Sequence, residues 1–156
     1  MITSVSEVQK VLEICKTVRE ELQAEQIPYA EKIELGIMIE TPAAAIISDQ
    51  LAPLVDFFSV GTNDLTQYTL ACDRQNPDIE SFCDTHHEAI LRLIAWSAKN
   101  AHEHGAWIGI CGELAADTSL TERFLRMGID ELSVSPTFVL KVRDAVRKVD
   151  LRTKEN

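Results

Sequence analysis

Helical and extended segments alternate along this chain, and this alternation restricts the fold more than any other feature of the sequence. Apolar residues with helical spacing predict helices, which fall at residues 4–26, 43–55, 86–105, 119–128 and 136–150. Short apolar runs between them predict strands, at residues 33–40, 56–61, 106–111 and 130–135. Residues 62–78 are predicted to form a loop. A series of this kind, with short connections, is typical of a parallel sheet covered by helices.

The two faces of each predicted strand differ in character. In residues 33–40 one face is aliphatic, whereas the other carries Glu34, Gly36, Met38 and Glu40. The later strands also place small or polar side chains on their second face, as at Cys111. A doubly wound sheet more often has two aliphatic faces. A barrel wall with a reactive mouth has one face of each kind, so the pattern favours a barrel over a doubly wound sheet.

Only four strands are predicted, or five if the Met-Ile pair at the start is the end of another strand. A closed parallel barrel of this kind needs eight. Two of the three intervals between strand ends are about 21 to 24 residues, which suits a repeating βα unit. We therefore predict an α/β fold, the C-terminal half of a (β/α)8 TIM-type barrel, over residues 1–150. A frayed tail is expected at residues 151–156.

Composition restricts the partners and the compartment. The 156 residues carry a formal net charge of -10 and contain no basic stripe, which argues against nucleic-acid binding. Neither a signal peptide nor an apolar run of the ~20 residues that a membrane helix needs is found. The cysteines form no zinc or redox motif and are interpreted as free thiols in a reducing compartment; they are Cys15, Cys72, Cys83 and Cys111. These features predict a soluble cytoplasmic domain.

Two carboxylates follow consecutive predicted strands, Glu40 after the first and Asp64 after the second. Ligands of parallel βα folds bind beyond the carboxyl ends of the strands, and neighbouring strands lie about 5 Å apart. Two such acids can share one Mg²⁺ or Mn²⁺ and leave positions for water and substrate oxygens. The spacing equally allows a structural interpretation, in which Glu40 caps the helix near Thr41 and Asp64 caps the loop.

Further candidates lie at the same strand ends or in the loop that follows. Arg74 lies in a loop otherwise poor in basic residues, and arginine binds phosphate or carboxylate through paired hydrogen bonds. A surface ion pair with Asp73 or Asp78 is the alternative. Asn63, Cys111, Glu113 and Ser135 also lie near strand ends, and a strand cysteine is most often a buried structural thiol. The histidines lie in pairs at opposite ends of one helix and are not expected to bind metal, because neighbours at these spacings do not share a face; they are His86, His87, His102 and His104.

Five blocks of sequence, taken together, point to a family. They are "GIMIETPAAAIISDQLA", "VDFFSVGTNDLTQYTLACDRQN", "AILRLI", "GICGELAAD" and "MGIDELSVSP", in this order. With them the chain resembles, over essentially its whole length, the C-terminal phosphoenolpyruvate-binding barrel of Enzyme I of the sugar phosphotransferase system, the phosphoenolpyruvate–protein phosphotransferase. Pyruvate phosphate dikinase and phosphoenolpyruvate synthase share several blocks, but "TQYTLACDRQN" and "AILRLI" are closer to Enzyme I.

The resemblance implies a role for each matching residue. Glu40 and Asp64 resemble the Mg²⁺ ligands, and Asn63 and Asp64 resemble the pair that meets the substrate. Arg74 resembles the loop arginine on the substrate phosphate or carboxylate, and Cys111 resembles the acid that protonates the enolate carbon. A thiol suits that role because an ordinary cysteine is protonated at neutral pH and nearby anions favour this form. Glu113 is expected to orient the loop rather than to react.

The resemblance also implies partners and a limit. Members of the family move phosphoryl from phosphoenolpyruvate, with Mg²⁺ or Mn²⁺, to a histidine in a separate N-terminal domain and on to a histidine-phosphocarrier protein. They serve sugar uptake, and a homodimer is expected of the full-length protein. Nothing in the chain matches that histidine or the two substrate arginines of the early barrel strands. We therefore expect this chain alone not to complete the transfer.

Two other functions remain open from the sequence. A Mg²⁺-dependent carbon–carbon lyase of the citrate lyase or pyruvate aldolase type would share the "MIETP" and G-x-N-D elements. The Cys-Gly-Glu block and "ACDRQN" argue against it. The second of these functions is that of a non-catalytic half barrel that binds a partner or a second copy of itself.

Overall fold

The computed structural model describes residues 1–152 and contains a four-stranded parallel sheet. Its strands are β1 (Gly36–Ile39), β2 (Phe57–Gly61), β3 (Trp107–Cys111) and β4 (Glu131–Leu132). They lie side by side in sequence order, and at least one helix lies between each strand and the next. The predicted α/β fold with a parallel sheet and covering helices is confirmed.

The last strand of the sheet is shorter than the sequence predicts. β4 has two residues, although the prediction covered residues 130–135. The ladder nevertheless reaches one residue further on each side, because Asp130 N donates to Ile108 O and Ser133 N donates to Ile110 O, both at 2.9 Å. No fifth strand forms at the start of the described chain; Ile2 O instead accepts a 2.9 Å hydrogen bond from Thr41 Oγ1.

Seven α-helices connect and cover the strands within residues 1–152. They are α1 (Val5–Ala24), α2 (Pro42–Ile46), α3 (Ser48–Leu51), α4 (Thr62–Leu70), α5 (Glu88–Glu103), α6 (Thr121–Met127) and α7 (Val139–Lys148). Short 3-10 turns lie at Ala52–Leu54, Pro77–Phe82, Glu113–Ala116 and Pro136–Phe138. The expected ends of α5 and α6 are confirmed, since Gly105 and Gly128 follow them with positive φ values of 78° and 86°.

The prediction of a loop directly after β2 is wrong, because α4 occupies residues 62–70. Thr62, Leu65 and Thr66 are buried and recur with helical spacing, but two of the three are polar, which hid the apolar stripe. Asp64 lies in the first turn, where a carboxylate complements the helix dipole. The helix begins immediately after the strand and therefore fixes the side chains of its first turn at the edge of the sheet.

The two faces of the sheet have different surroundings. On one face the apolar side chains pack against the helices and are fully buried; they include Ile39, Phe58, Val60, Ile108 and Ile110. The other face carries smaller or partly exposed side chains, with Met38 38% exposed. There the rings of Phe57 and Trp107 stack, with centroids 4.5 Å apart. The predicted asymmetry of the strands is therefore present, with one face covered and one open.

The expectation of four free thiols is wrong for two of them. Cys72 and Cys83 form a disulfide, whereas Cys15 and Cys111 are free. Eleven positions separate the pair along the chain, a spacing unlike a short redox motif. The turns between them return the chain so that the two Cα atoms are 5.8 Å apart, within the usual range for a disulfide.

Two other expectations concern the ends of the chain and its helices. Most of the tail predicted to be frayed falls on residues 153–156, outside the described residues. Among residues 1–152, none of the helices combines the length and the apolar character needed to span a membrane.

Candidate active site at the carboxyl edge of the sheet

Several of the candidate residues line two adjoining clefts at the carboxyl ends of β2 and β3. Cys111 and Ser135 line the larger cleft, of about 440 Å³. Arg74 lines the smaller one, of about 210 Å³. Asn63 and Glu113 border both. The structure thus brings together five residues that are dispersed over more than 70 positions of the sequence.

Glu40 lies directly after β1 and is buried, with 6% of its surface exposed. Its carboxylate lies over the end of the neighbouring strand, since a Cβ added to Gly61 would be 3.1 Å from Glu40 Oε2. The capping alternative is wrong for Glu40: Thr41 caps α2, because its Oγ1 accepts from Ala44 N at 3.1 Å. Buried carboxylates are paired or bind metal ions, and Oε1 lies 3.3 Å from the nitrogen of Met1.

Asp64 forms an ion pair with Arg74, which lines the smaller cleft. Arg74 Nη2 lies 3.6 Å from Asp64 Oδ1, and both side chains are partly exposed. Arg74 N also donates to Gln67 Oε1 at 3.4 Å. The alternative pairing of Arg74 with Asp73 or Asp78 is therefore not the one observed. Asp64 does not cap a loop either, because it lies inside the first turn of α4.

Cys111 is oriented by two contacts at the end of β3. Ser59 Oγ donates to Cys111 Sγ at 3.4 Å, and the thiol donates to Val60 O at the same distance. Thr62 Oγ1 holds the backbone by donating to Cys111 O at 3.2 Å. No contact of Ser59 or Thr62 was predicted from the sequence. The sequence places Ser59 on the open face together with Gly61, which pairs in register with Cys111. This shared face was the available signal for a contact between Ser59 and Cys111.

The turn after Cys111 brings Asn63 and Glu113 together. Gly112 has a φ of 108°, and Glu113 N donates to Asn63 Oδ1 at 3.3 Å. A Cβ on Gly112 would lie 2.5 Å from Thr62 Oγ1. The first turn of α4 and the end of β3 therefore pack closely, and only a residue without a side chain fits between them.

The donor set at this edge fits one kind of metal site. Within residues 1–152, no three His, Cys, Asp or Glu side chains gather as a group that could hold a metal ion. This part of the chain therefore offers no all-protein cage of the kind that structural zinc requires. Glu40 and Asp64 are oxygen donors after adjacent strands. Mg²⁺ is commonly bound by one or two carboxylates and completed by water and substrate oxygens.

The chain matches the model of the family described as "PEP-utilising enzyme, PEP-binding domain" over residues 1–151. It belongs to this family. It is 44% identical over 155 residues to the phosphoenolpyruvate-protein phosphotransferase of Lactococcus lactis subsp. cremoris, covering 99% of this chain and 27% of that protein. The proteins of the same name from Priestia megaterium and Buchnera aphidicola subsp. Schizaphis graminum are 43% and 45% identical, covering 96% and 95% of this chain and 26% of each relative.

The family resemblance seen in the sequence is confirmed by these matches. The chain spans about a quarter of the length of the curated relatives that it matches. The matched region of this PEP-binding domain includes every candidate residue, from Glu40 to Ser135.

Three of the four histidines of this PEP-binding domain make side-chain contacts that support the fold. His87 Nδ1 accepts from Ala89 N at 3.1 Å and caps α5. His86 Nε2 lies 2.7 Å from Asp117 Oδ2, and His102 Nε2 lies 2.9 Å from Asp130 Oδ2. The His86–Asp117 contact joins the segment before α5 to the turn that follows Glu113.

Asp117 makes this contact sensitive to acid. Hydrogen bonds from the Ser119 hydroxyl, then from Ser119 N and His86, hold the pKa of Asp117 below its usual value. Because the folded-state pKa is the lower one, the ionised carboxylate stabilises the fold above pH ~4, and this contribution disappears as the pH falls through the folded value. Ser119→Ala should raise the Asp117 pKa, which carboxyl NMR titration measures. An unchanged midpoint in the variant would contradict this explanation.

Proposed function

We propose that this chain is the part of a phosphoenolpyruvate–protein phosphotransferase that binds phosphoenolpyruvate and handles the enolate of pyruvate. The observation that carries the proposal is the common cleft edge formed by Cys111, Asn63 and Glu113, with Arg74 on the adjoining wall. The thiol acid of Cys111, the amide of Asn63 and the guanidinium of Arg74, which is paired to a carboxylate, meet there. The names of the relatives agree with this chemistry and give no support to the lyase alternative.

We further propose that the chain forms half of a (β/α)8 barrel. Its four parallel strands are half the number that a closed barrel needs. The open face of the sheet carries Met38 and the stacked pair Phe57 and Trp107, which suit an interior rather than a surface. The same face leads to Cys111 at the mouth. The remaining strands would come from the rest of a longer protein, like the larger part of each relative that this chain leaves unmatched.

Glu40 and Asp64 would hold Mg²⁺ (or Mn²⁺), and Arg74 and Asn63 would bind the substrate. When bound, the metal ion would stabilise negative charge on the substrate oxygens. Arg74 already lies 3.6 Å from Asp64 and is partly exposed, so its guanidinium can turn toward a phosphate or carboxylate at the same place. The Asn63 amide, fixed by Glu113 N, is left with its NH₂ group free to donate toward the cleft.

Cys111 would protonate the methylene carbon of enolpyruvate. In that step the carbon–hydrogen bond forms as the sulfur–hydrogen bond breaks, and the thiolate keeps the electron pair. Ser59 Oγ, which already donates to Sγ at 3.4 Å, would stabilise that thiolate. The phosphoryl group would go to a histidine in another domain and then to a histidine-phosphocarrier protein. A homodimeric, cytoplasmic enzyme for sugar uptake is the corresponding proposal for the whole protein.

The test is the exchange of the methyl protons of pyruvate with D₂O, because enolisation needs the acid and the metal but no histidine domain. We expect Mg²⁺-dependent exchange followed by NMR, and a loss of about 10²- to 10⁴-fold in Cys111→Ala, the usual contribution of a general acid. Asp64→Asn should weaken the dependence on Mg²⁺. Cys15→Ser, at the other free cysteine, is the matched control and should leave the rate unchanged. Equal rates in Cys111→Ala and Cys15→Ser would refute the role of Cys111.

A further inference from the structure

The disulfide between Cys72 and Cys83 closes the loop that carries Arg74. Cys72 follows α4 and is 4% exposed, and its backbone N donates to Gln67 O at 3.1 Å. Cys83 follows the 3-10 turn Pro77–Phe82 and is partly exposed. Both cysteines line the smaller cleft together with Arg74. The covalent link is therefore part of the wall that presents the arginine.

Other contacts hold the second half of this loop weakly. Its hydrogen bonds are local, such as Asp78 N to Asn76 Oδ1 and Ile79 N to Asn76 O. Its largest apolar side chain, Phe82, is 70% exposed and so contributes little burial. In the described part of the loop, the disulfide is thus the main attachment of residues 76–83 to α4. Segments with few buried contacts open locally at little cost in free energy.

Opening of the loop would begin beyond Cys72. Ala71 adopts a left-handed conformation (φ 52°) that ends α4, and the hydrogen bond from Cys72 N to Gln67 O closes the helix. Cys72 itself is buried, so it stays attached to the helix in either state. Within residues 1–152, Arg74, two residues further on, has only the contacts to Gln67 and Asp64 at 3.4 and 3.6 Å. Both partners belong to α4, and both contacts are long, so the path of the loop beyond Cys72 also sets the position of the arginine.

We propose that Cys72 and Cys83 are a thiol–disulfide exchange site that controls the position of Arg74. In the oxidised form the closed loop keeps the guanidinium beside Asp64, and in the reduced form the loop opens and the arginine leaves the cleft. This regulation rests on the proposed function, in which Arg74 binds the substrate anion. It would make phosphoenolpyruvate binding by this chain respond to the thiol redox state of its surroundings.

The oxidant is a small-molecule disulfide, with oxidised glutathione as the probe. The thiolate of one cysteine attacks a sulfur of glutathione disulfide and releases one glutathione thiolate. The thiolate of the other cysteine then attacks the resulting mixed disulfide and releases the second. Two protein thiols are oxidised by two electrons, the small disulfide is reduced by the same two, and two protons pass to the released thiols. Reduction is the reverse, and the partial exposure of Cys83 makes its sulfur the accessible one for attack.

The first experiment tests the exchange site without reference to substrate. The chain is equilibrated in glutathione buffers, alkylated in denaturant and analysed by mass spectrometry, and backbone hydrogen exchange is measured in both native forms. We expect two alkylated cysteines when oxidised and four when reduced, with exchange in residues 73–83 at least about tenfold faster on reduction. Residues 88–103 of α5 should not change. In Cys83→Ser, backbone hydrogen exchange in residues 73–83 should proceed in every buffer at the rate found for the reduced form. Cys15→Ser should respond to the buffers as the unaltered chain does. Four alkylated cysteines in every buffer, or equal exchange rates in both forms, would overturn the proposal.

The second experiment measures phosphoenolpyruvate binding in the presence of Mg²⁺ in both redox states. Loss of a charge-assisted contact should weaken the affinity about tenfold on reduction. If the loop responds to the redox state but the affinity for phosphoenolpyruvate does not, the proposed control of binding is overturned. Arg74→Ala distinguishes the two levels of the proposal. If it binds as tightly as the unaltered oxidised chain, the assigned role of Arg74 fails, while the alkylation and exchange results still decide whether the exchange site exists.

Discussion

Phe58→Ala is expected to lower the free energy of unfolding by about 3 to 5 kcal/mol, the usual range for removing a buried phenylalanine ring. Phe58 is fully buried in β2 and lies opposite Ile37 and Ile108 in the neighbouring strands. Close-packed neighbours on both sides cannot collapse far into the space that the ring leaves. Urea denaturation followed by circular dichroism measures the change, and the midpoint should fall at a constant slope.

The preceding residue supplies a matched control. Phe57 is half-buried on the open face, where it stacks on Trp107 at 4.5 Å. Phe57→Ala removes the same side chain from the same strand but leaves no cavity among the helices. We expect a loss of about 1 kcal/mol, in the range of an aromatic pair. If the two variants lost equal stability, the assignment of Phe58 to the covered face and Phe57 to the open face would be wrong.

Gly112→Ala is expected to destabilise the fold and to disable the candidate site together. Gly112 has φ 108° and ψ -175°, a region that is almost restricted to glycine and costs about 1 to 3 kcal/mol for other residues. The new Cβ would also lie 2.5 Å from Thr62 Oγ1, so the turn must move. Asn63 and Glu113 would separate, and the Thr62–Cys111 hydrogen bond would break. Pyruvate proton exchange and urea denaturation should both report the change.

Gly105→Ala separates backbone strain from steric contact. Gly105 has a φ of 78°, yet an added Cβ would meet no atom within 4 Å. This variant should lose about 1 to 2 kcal/mol of stability, and it should keep the unaltered rate of proton exchange. Full exchange activity in Gly112→Ala as well would contradict the tight packing between α4 and the end of β3.

The α/β fold could be predicted because its signals are local and repeated. The apolar stripe of α5 and the alternation in residues 33–40 each follow from one element's own period. α4 was missed because Thr62 and Thr66 are buried although polar, and a hydropathy pattern counts them as exposed. The Cys72–Cys83 disulfide was missed for another reason. Its formation depends on how the turns between the two residues fold back, which the spacing of cysteines does not determine.

The candidate site could be predicted residue by residue but not contact by contact. The rule that ligands bind at the carboxyl ends of parallel strands selected Glu40, Asp64 and Cys111 from the sequence alone. The same rule says nothing about hydrogen-bond partners. Ser59, which donates to Cys111 Sγ, is 52 positions away, and the ion pair of Arg74 with Asp64 depends on the path of a loop. These partners follow from the register of the strands and the closure of the loop.

The ion pair between Asp64 and Arg74 has a thermodynamic consequence for ligand binding. The carboxylate has two possible positive partners, the guanidinium 3.6 Å away and the proposed metal ion. A bound anion that attracts Arg74 would leave Asp64 unneutralised and so increase its affinity for the metal. By linkage the metal must increase the affinity for the anion by the same factor. One exposed ion pair would therefore make the binding of a cation and an anion cooperative at this edge of the sheet.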